Sequence, residues 1–165
     1  MPFAHLISDG ALERISEANP GWQIERADDG SLLARPTSTN GGFKRGEAFA
    51  QLYAYAKKAG GKVCDAGTGF KTPAGGVVSP DVAWISAARI AEHAQEDGYW
   101  QTMPDVAIEV ASKTDSWNRV TAKIDKYLSD GAGFALAIDP ESGATYAAGE
   151  PPEGLALDVA AIVAA

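Results

Sequence analysis

Two short apolar runs each carry a carboxylate where an apolar side chain would otherwise stand. The first is Ser79-Pro80-Asp81-Val82-Ala83-Trp84-Ile85; the second is Pro104-Asp105-Val106-Ala107-Ile108-Glu109-Val110-Ala111-Ser112. Both read as buried strands. A carboxylate among apolar neighbours is stable only when it is paired, protonated or bound to a cation. Two such strands joined by one excursion predict a cation shared by Asp81 and Glu109. The chain has one cysteine and two histidines, too few for a soft-ligand site. Two hard oxygen ligands then favour Mg²⁺ or Mn²⁺ over zinc.

The 165 residues, 45% of them hydrophobic, suffice for one domain with its own core. The net charge is -8 and no run of Lys or Arg is present. That combination argues against strong non-specific binding to nucleic acid, while leaving room for a local basic strip. The single cysteine, Cys64, rules out an internal disulfide and points to a reducing, cytoplasmic setting. With no histidine near it in sequence, Cys64 reads as a core filler rather than a nucleophile. No apolar run reaches the roughly 18 residues of a membrane span, and the N-terminus shows no signal-peptide pattern.

In chain order, 4–18 reads as a helix with Leu6, Ile7, Leu12 and Ile15 on its apolar side, and with His5 at its surface. Residues 22–36 read as a hairpin turning at Asp29-Gly30. A small-residue loop, 37–42, precedes a helix over 43–59 with the stripe Phe49, Leu52, Tyr53 and Ala56, ended by Gly60-Gly61. Strands follow at 62–65, 68–71 and 77–85, the last two joined by a tight turn. Ser86 caps a short helix to about residue 94, with His93 in its last turn; a loop covers 96–102. The strand at 105–111 is the most apolar and is expected at the centre of the sheet. Asp115 or Ser116 caps the next helix, which runs to about residue 130 with the stripe Val120, Ile124, Tyr127 and Leu128. Strands at 134–138 and 144–148 and a tail packed through Leu155, Leu157, Val159, Ile162 and Val163 complete the chain. The division is one domain over 1–165: an N-terminal helix and hairpin at 1–36, a core at 37–150 and a tail element at 151–165.

The connection from 105–111 through a helix to 134–138 is long enough for a right-handed parallel crossover, whereas tight turns make the earlier strands antiparallel. The expected class is α/β, with a mixed sheet flanked by helices in the order αβββαβ. On the helix after Glu109, Lys123 sits at the edge of the apolar stripe, where a lysine can lay its stem on the sheet and aim its ammonium at a carboxylate. Arg119 and Lys126 share its flank; an ordinary solvated helix face is the other reading. Glu47, near the start of its helix, either complements the helix dipole or faces the site, and Gln51 lies one turn on along the same face.

The pattern Gly69-Phe70-Lys71, Pro73, Ser79-Pro80-Asp81-Val82-Ala83-Trp84, Pro104-Asp105-Val106-Ala107-Ile108-Glu109-Val110, Ser112, Lys123, Tyr127, Gly131 and Ile138-Asp139-Pro140 resembles the Uma-type restriction endonuclease family. That family belongs to the PD-(D/E)XK nuclease superfamily. The resemblance covers roughly residues 35–150 and implies a restriction-endonuclease-like core. Its acids map onto Asp81 and Glu109. The superfamily's usual lysine, two residues after the second acid, falls on Ala111; the family resemblance places a lysine on the next helix instead, at Lys123, with Lys113 as a rival. The superfamily's first-helix acid falls on Glu47. Ser112-Lys113 stands where the family often has Ser-Pro, which alters the local loop rather than the ligands. The resemblance implies metal-assisted hydrolysis of DNA phosphodiester bonds, with Asp81, Glu109 and the Val110 carbonyl holding Mg²⁺, Lys123 orienting the attacking water or stabilising the transition state, Glu47 supporting a second ion or outer-shell water, and a homodimer as the assembly. A catalytically inert nuclease-fold dimer that only binds is the competing reading, and acids that are merely salt-bridged are a third.

Overall fold

The computed structural model describes residues 7–36, 39–93 and 98–165. His5 and Leu6, the start of the 37–42 loop and the stretch 94–97 lie outside them. The first helix, α1 (Asp9–Ala18), starts at Ser8, whose side chain accepts a hydrogen bond from the Ala11 N–H. The hairpin follows as β1 (Trp22–Arg26) and β2 (Leu32–Pro36), antiparallel around the Asp29-Gly30 turn.

The next helix, α2 (Thr39–Ala59), begins four residues earlier than the 43–59 expected, so residues 39–42 are its opening turn rather than loop. Gly41-Gly42 reads as a breaker, yet the first turn of a helix has no internal N–H bonds to weaken. Lys44 fastens this end through hydrogen bonds from its Nζ to the Val163 and Ala165 carbonyls. Helix α2 ends at Gly60-Gly61, both at positive φ. A Cβ at Gly61 would collide with the Ile85 carbonyl oxygen, which makes this glycine obligatory.

Strand β3 (Lys62–Asp65) leads to β4 (Phe70–Lys71), β5 (Val77–Val78) and β6 (Val82–Ile85). The expected single strand over 77–85 is thus two strands in two different sheets. Strands β2-β1-β5-β4 form an antiparallel four-stranded sheet, while β6 joins a five-stranded one. The change of sheet happens at Ser79-Pro80-Asp81: Pro80 has no N–H to give to a ladder, and Asp81 therefore sits on a bend just before β6 rather than within a strand.

After α3 (Ala87–Glu92), capped by Ser86, come β7 (Val106–Val110), α4 (Trp117–Ser129), β8 (Phe134–Ile138), β9 (Thr145–Gly149) and α5 (Val159–Ala164). The five-stranded sheet has the order β3-β6-β7-β8-β9. Strand β7 is its centre, parallel to β8 across α4, as the length of that connection allowed, and antiparallel to β6. The mixed α/β core is therefore as expected, with a second, smaller sheet packed beside it.

Alternation sorts β7. Val106, Ile108 and Val110 face a cluster with Leu52 of α2 and Ile162 of α5. Ala107 faces the other side, with Ile124 and Tyr127 of α4. The alanines at 107, 135 and 137 are small, so α4 lies close to the sheet and its side chains reach Glu109, which shares the face of Ala107. Ile108→Ala, fully buried on the opposite face, should lower the unfolding free energy by about 2–5 kcal/mol. The exposed Lys58→Ala on α2 should move it by no more than about 0.5 kcal/mol. Urea unfolding of both variants checks this.

Candidate active site

Asp81 and Glu109 are each 3% exposed. Their oxygens divide into occupied and open ones. Asp81 Oδ2 accepts the Val110 N–H at 2.8 Å, which ties the bend before β6 to the end of β7. Asp81 Oδ1 is reached only by Arg45 Nη1 at 3.5 Å among the described residues. Glu109 Oε1 accepts the Tyr127 hydroxyl at 2.6 Å and lies 2.9 Å from Lys123 Nζ. Glu109 Oε2 faces Arg35 Nη1 at 4.0 Å, beyond hydrogen-bond length.

Lys123 comes from α4 as its register predicted. Its side chain is 21% exposed, and its Nζ sits between Glu109 and Glu25, 3.1 Å from Glu25 Oε1. Lys113, the rival, is 79% exposed and pairs with Glu141 at 3.3 Å. Ala111 packs against the apolar cluster under α4. The lysine beside Glu109 is therefore supplied from the helix. Glu47 lies elsewhere on α2 and accepts from Gln51 Nε2 at 2.9 Å, while Gln51 in turn binds the backbone of Asp158. No contact among the described residues joins Glu47 to Asp81 or Glu109. The flank expected to be shared with Lys123 also divides: Lys126 pairs with Asp28 and Asp130, away from the two acids.

Three charged residues of the site, and one amide that supports them, escaped the sequence reading. Glu25 on β1 is 3% exposed; its Oε1 accepts the Ser79 N–H at 2.7 Å as well as facing Lys123. Arg35 on β2 lies 3.6 Å from Glu25 and 4.0 Å from Glu109, and its buried Nη2 has no hydrogen-bond partner among the described residues. Arg45 on α2 faces Asp81. Gln23, on the face of β1 that carries Glu25, donates to the Ser79 carbonyl at 2.5 Å. The hairpin thus holds Ser79 from both its N–H and its carbonyl, and through it the bend that presents Asp81. The signal was in principle present, since Gln23 and Glu25 alternate with Trp22 and Ile24; the polar side of that alternation is the one turned inward.

Among the described residues the cluster counts three carboxylates, Asp81, Glu109 and Glu25, against three cations, Lys123, Arg35 and Arg45. Burial raises the Glu109 carboxyl to about 7, opposed by Lys123 and assisted by the charges of Asp81 and Glu25. Burial also raises the Asp81 carboxyl, against the Val110 N–H and Arg45. Burial disfavours the Lys123 ammonium, but Glu109 and Glu25 outweigh it and its pKa ends above the usual lysine value. Burial lifts the Cys64 thiol to about 11, which removes it as a nucleophile near neutrality.

Asp81 and Glu109 supply hard oxygens, and each keeps one oxygen free of a short hydrogen bond. That donor set fits a Mg²⁺ ion, which takes one or two carboxylates and completes its shell with water and phosphate. No group of three His, Cys, Asp or Glu suited to a metal converges among the described residues, so the two acids would carry the ion together with the Val110 carbonyl.

The raised Glu109 pKa fixes a direction for pH. A native carboxyl that binds its proton more tightly than the unfolded chain lowers stability as pH rises from about 4.5, the unfolded value, through about 7. In EDTA the wild type should lose stability between pH 5 and 8, by as much as about 3 kcal/mol from this group alone. Glu109→Gln, which keeps an acceptor for Tyr127, should show a flatter profile. Thermal melts of both proteins across that range decide; parallel profiles contradict the assignment.

No described helix is long and apolar enough to cross a membrane. No curated protein matches the chain. A solved structure described as a putative nuclease belonging to DUF820, from Anabaena variabilis, is similar with a TM-score of 0.67 and 18% identity, over 86% of this chain and 89% of that one. This likeness shows the fold, a restriction-endonuclease-like core. The model of the Uma2 family, described as "Putative restriction endonuclease", matches residues 10–156, a span that takes in all of α1 but its first residue, the hairpin and every residue of the charged cluster. The chain belongs to the Uma2 restriction endonuclease family.

Proposed function

We propose that the protein is a Mg²⁺-dependent endonuclease that hydrolyses DNA phosphodiester bonds, with Mn²⁺ as a substitute. The observation that carries this reading is the placement of the Lys123 ammonium 2.9 Å from Glu109, beside two acids that each retain an open oxygen. Family membership supports the nuclease class. When bound by Asp81, Glu109 and the Val110 carbonyl, the ion supplies a water of lowered pKa and neutralises charge on the phosphate.

The chain's own groups do the rest. Tyr127 fixes Glu109 through Oε1 and leaves Oε2 without a short hydrogen bond, facing Arg35. The Val110 N–H fixes Asp81 in the same way. Glu25 and Glu109 hold the Lys123 ammonium in place, so it meets the scissile phosphate already oriented, and it donates a hydrogen bond to the oxygen on which negative charge grows. Arg35 and Arg45 flank the same opening and offer guanidinium donors to the neighbouring phosphates. Water attacks phosphorus and gives up one proton to solvent as the P–O bond to the leaving sugar oxygen breaks, and that oxygen takes a proton from solvent in return.

A homodimer belongs to this reading. Its support is β2, the open edge of the four-stranded sheet, which carries the exposed Leu32 and Leu33. A cytoplasmic setting belongs to it as well, supported by the single unpaired cysteine.

Cleavage of plasmid and single-stranded DNA with Mg²⁺ tests the proposal. Asp81→Ala and Glu109→Ala should each reduce turnover on the order of 10²-fold or more with the fold retained. Full activity in either variant removes the assignment. Lys123→Ala should lose comparable turnover at saturating Mg²⁺ while Lys113→Ala stays near wild type. The reverse order would make Lys113 the catalytic lysine.

A further inference from the structure

A cleft of about 550 Å³ opens beside Asp81, between β1 and one face of α2. This is within the roughly 300–1,000 Å³ range of small-molecule sites. Trp22, half exposed, stands on one wall. Gly42, Gly46 and Phe49 form the opposite wall; their spacing puts them on one face of the helix. A Cβ built at Gly42 or Gly46 meets nothing within 4 Å among the described residues, and neither glycine has a positive φ. Packing within the chain therefore does not explain why side chains are missing there, although helix-interior glycine weakens a helix relative to alanine. Their effect is to leave the cleft open down to the helix backbone.

A second cleft, of about 620 Å³, meets the first at Gln23, Pro36, Arg45 and Asp81. The two differ in charge. The second is lined by Arg35, Lys44, Arg45 and Lys113 against Asp81, Asp115 and Glu141. Among the described residues the first has only Arg45 against Asp65 and Asp81. A phosphate is drawn to the second and disfavoured in the first. What suits the first is flat and uncharged, with an aromatic ring to lie against.

We infer that the first cleft receives one unpaired nucleobase, stacked on Trp22, from the strand whose phosphate lies at Asp81. The inference rests on the nuclease reading and adds the form of the substrate: an unpaired nucleotide at the cleavage position, as in single strands, flaps or mismatched duplex. A base held in a complementary duplex cannot enter without leaving its stack, which costs free energy that an already unpaired base does not incur. Stacking on an aromatic ring is tolerant of base identity, so the preference is for strand state rather than sequence.

The test uses the full chain with Mg²⁺ and two phosphorothioate-linked oligonucleotides that resist cleavage, one single-stranded and one fully paired, each carrying 2-aminopurine. Wild type should quench the single-stranded probe and bind it more tightly than the duplex. Gly46→Leu, which fills the cleft, and Trp22→Ala should each weaken single-strand binding about tenfold while duplex binding by anisotropy changes less than twofold. Gly46→Leu should melt no lower than wild type, because leucine is the better helix former and has room. Single-strand affinity within twofold of wild type in both variants overturns the inference, as does an equal loss on both oligonucleotides. If metal-dependent cleavage of duplex DNA persists in that case, only the base cleft fails. If wild type neither binds nor cuts either form, the nuclease reading fails with it.

Discussion

The rest of the site depends on the cost of burying carboxylates. Asp81, Glu109 and Glu25 are all nearly inaccessible, and an isolated buried carboxylate would neutralise or unfold its surroundings. The structure meets this with Lys123, Arg35 and Arg45, brought from α4, β2 and α2. Each partner comes from a different element, so the cluster also fixes how those elements sit relative to β7. Removing one of the cations from such a set leaves an uncompensated buried carboxylate, which typically destabilises by about 3–5 kcal/mol. The balance of three against three leaves no spare cation for an incoming phosphate. A divalent ion at Asp81 and Glu109 would change that balance and free Lys123 and the arginines to face substrate charge. In this account the ion pairs hold the acids in place until a metal and a phosphate replace them.

The parts of this arrangement that follow local periodicity were legible in the sequence. The stripe Val120, Ile124 and Tyr127 located α4 and the side from which Lys123 approaches. The length of the 105–138 unit allowed the parallel β7–β8 pair, and apolar runs carrying an acid singled out Asp81 and Glu109. The parts that failed depend on distant partners. Glu25 meets Lys123 98 residues away, and nothing in its own neighbourhood signals that contact. The apolar-in, polar-out rule also misleads at β1. Trp22 is 50% exposed while Glu25 and Arg26 are buried, because Glu25 faces the charged cluster and Arg26 binds the Ile7 carbonyl, Asp9 and the Gly75 carbonyl. Glu47, the α2 acid expected to face the site, stands two residues beyond Arg45. A two-residue step on α2 turns the chain by about 200°, so the residue facing Asp81 is the arginine.

Asp105 illustrates why a sequence motif needs its structural context. It sits in a Pro-Asp pair one strand from the site, yet it accepts the Ser86 N–H and pairs with Arg89 at 3.3 Å. Its work is to anchor α3 at the far end of β7. The Pro-Asp pair at 80–81 differs because Pro80 breaks the ladder where two sheets part, and the bend so formed lies at the edge of both clefts.

The central claim is that Asp81 and Glu109 form a cation site rather than a structural ion-pair knot, and melting temperature against metal tests it without a substrate. Asp81→Asn preserves an oxygen for the Val110 N–H and removes the charge. Because burial raises the Asp81 pKa, the charged form is a liability at neutral pH. The variant in EDTA should therefore be as stable as wild type or more so. Millimolar Mg²⁺ should raise the wild-type melting temperature, by the equivalent of about 2.7 kcal/mol at a hundredfold excess over Kd, and leave the variant nearly unmoved. A variant clearly less stable than wild type in EDTA, with both proteins responding to Mg²⁺ alike, would contradict the account.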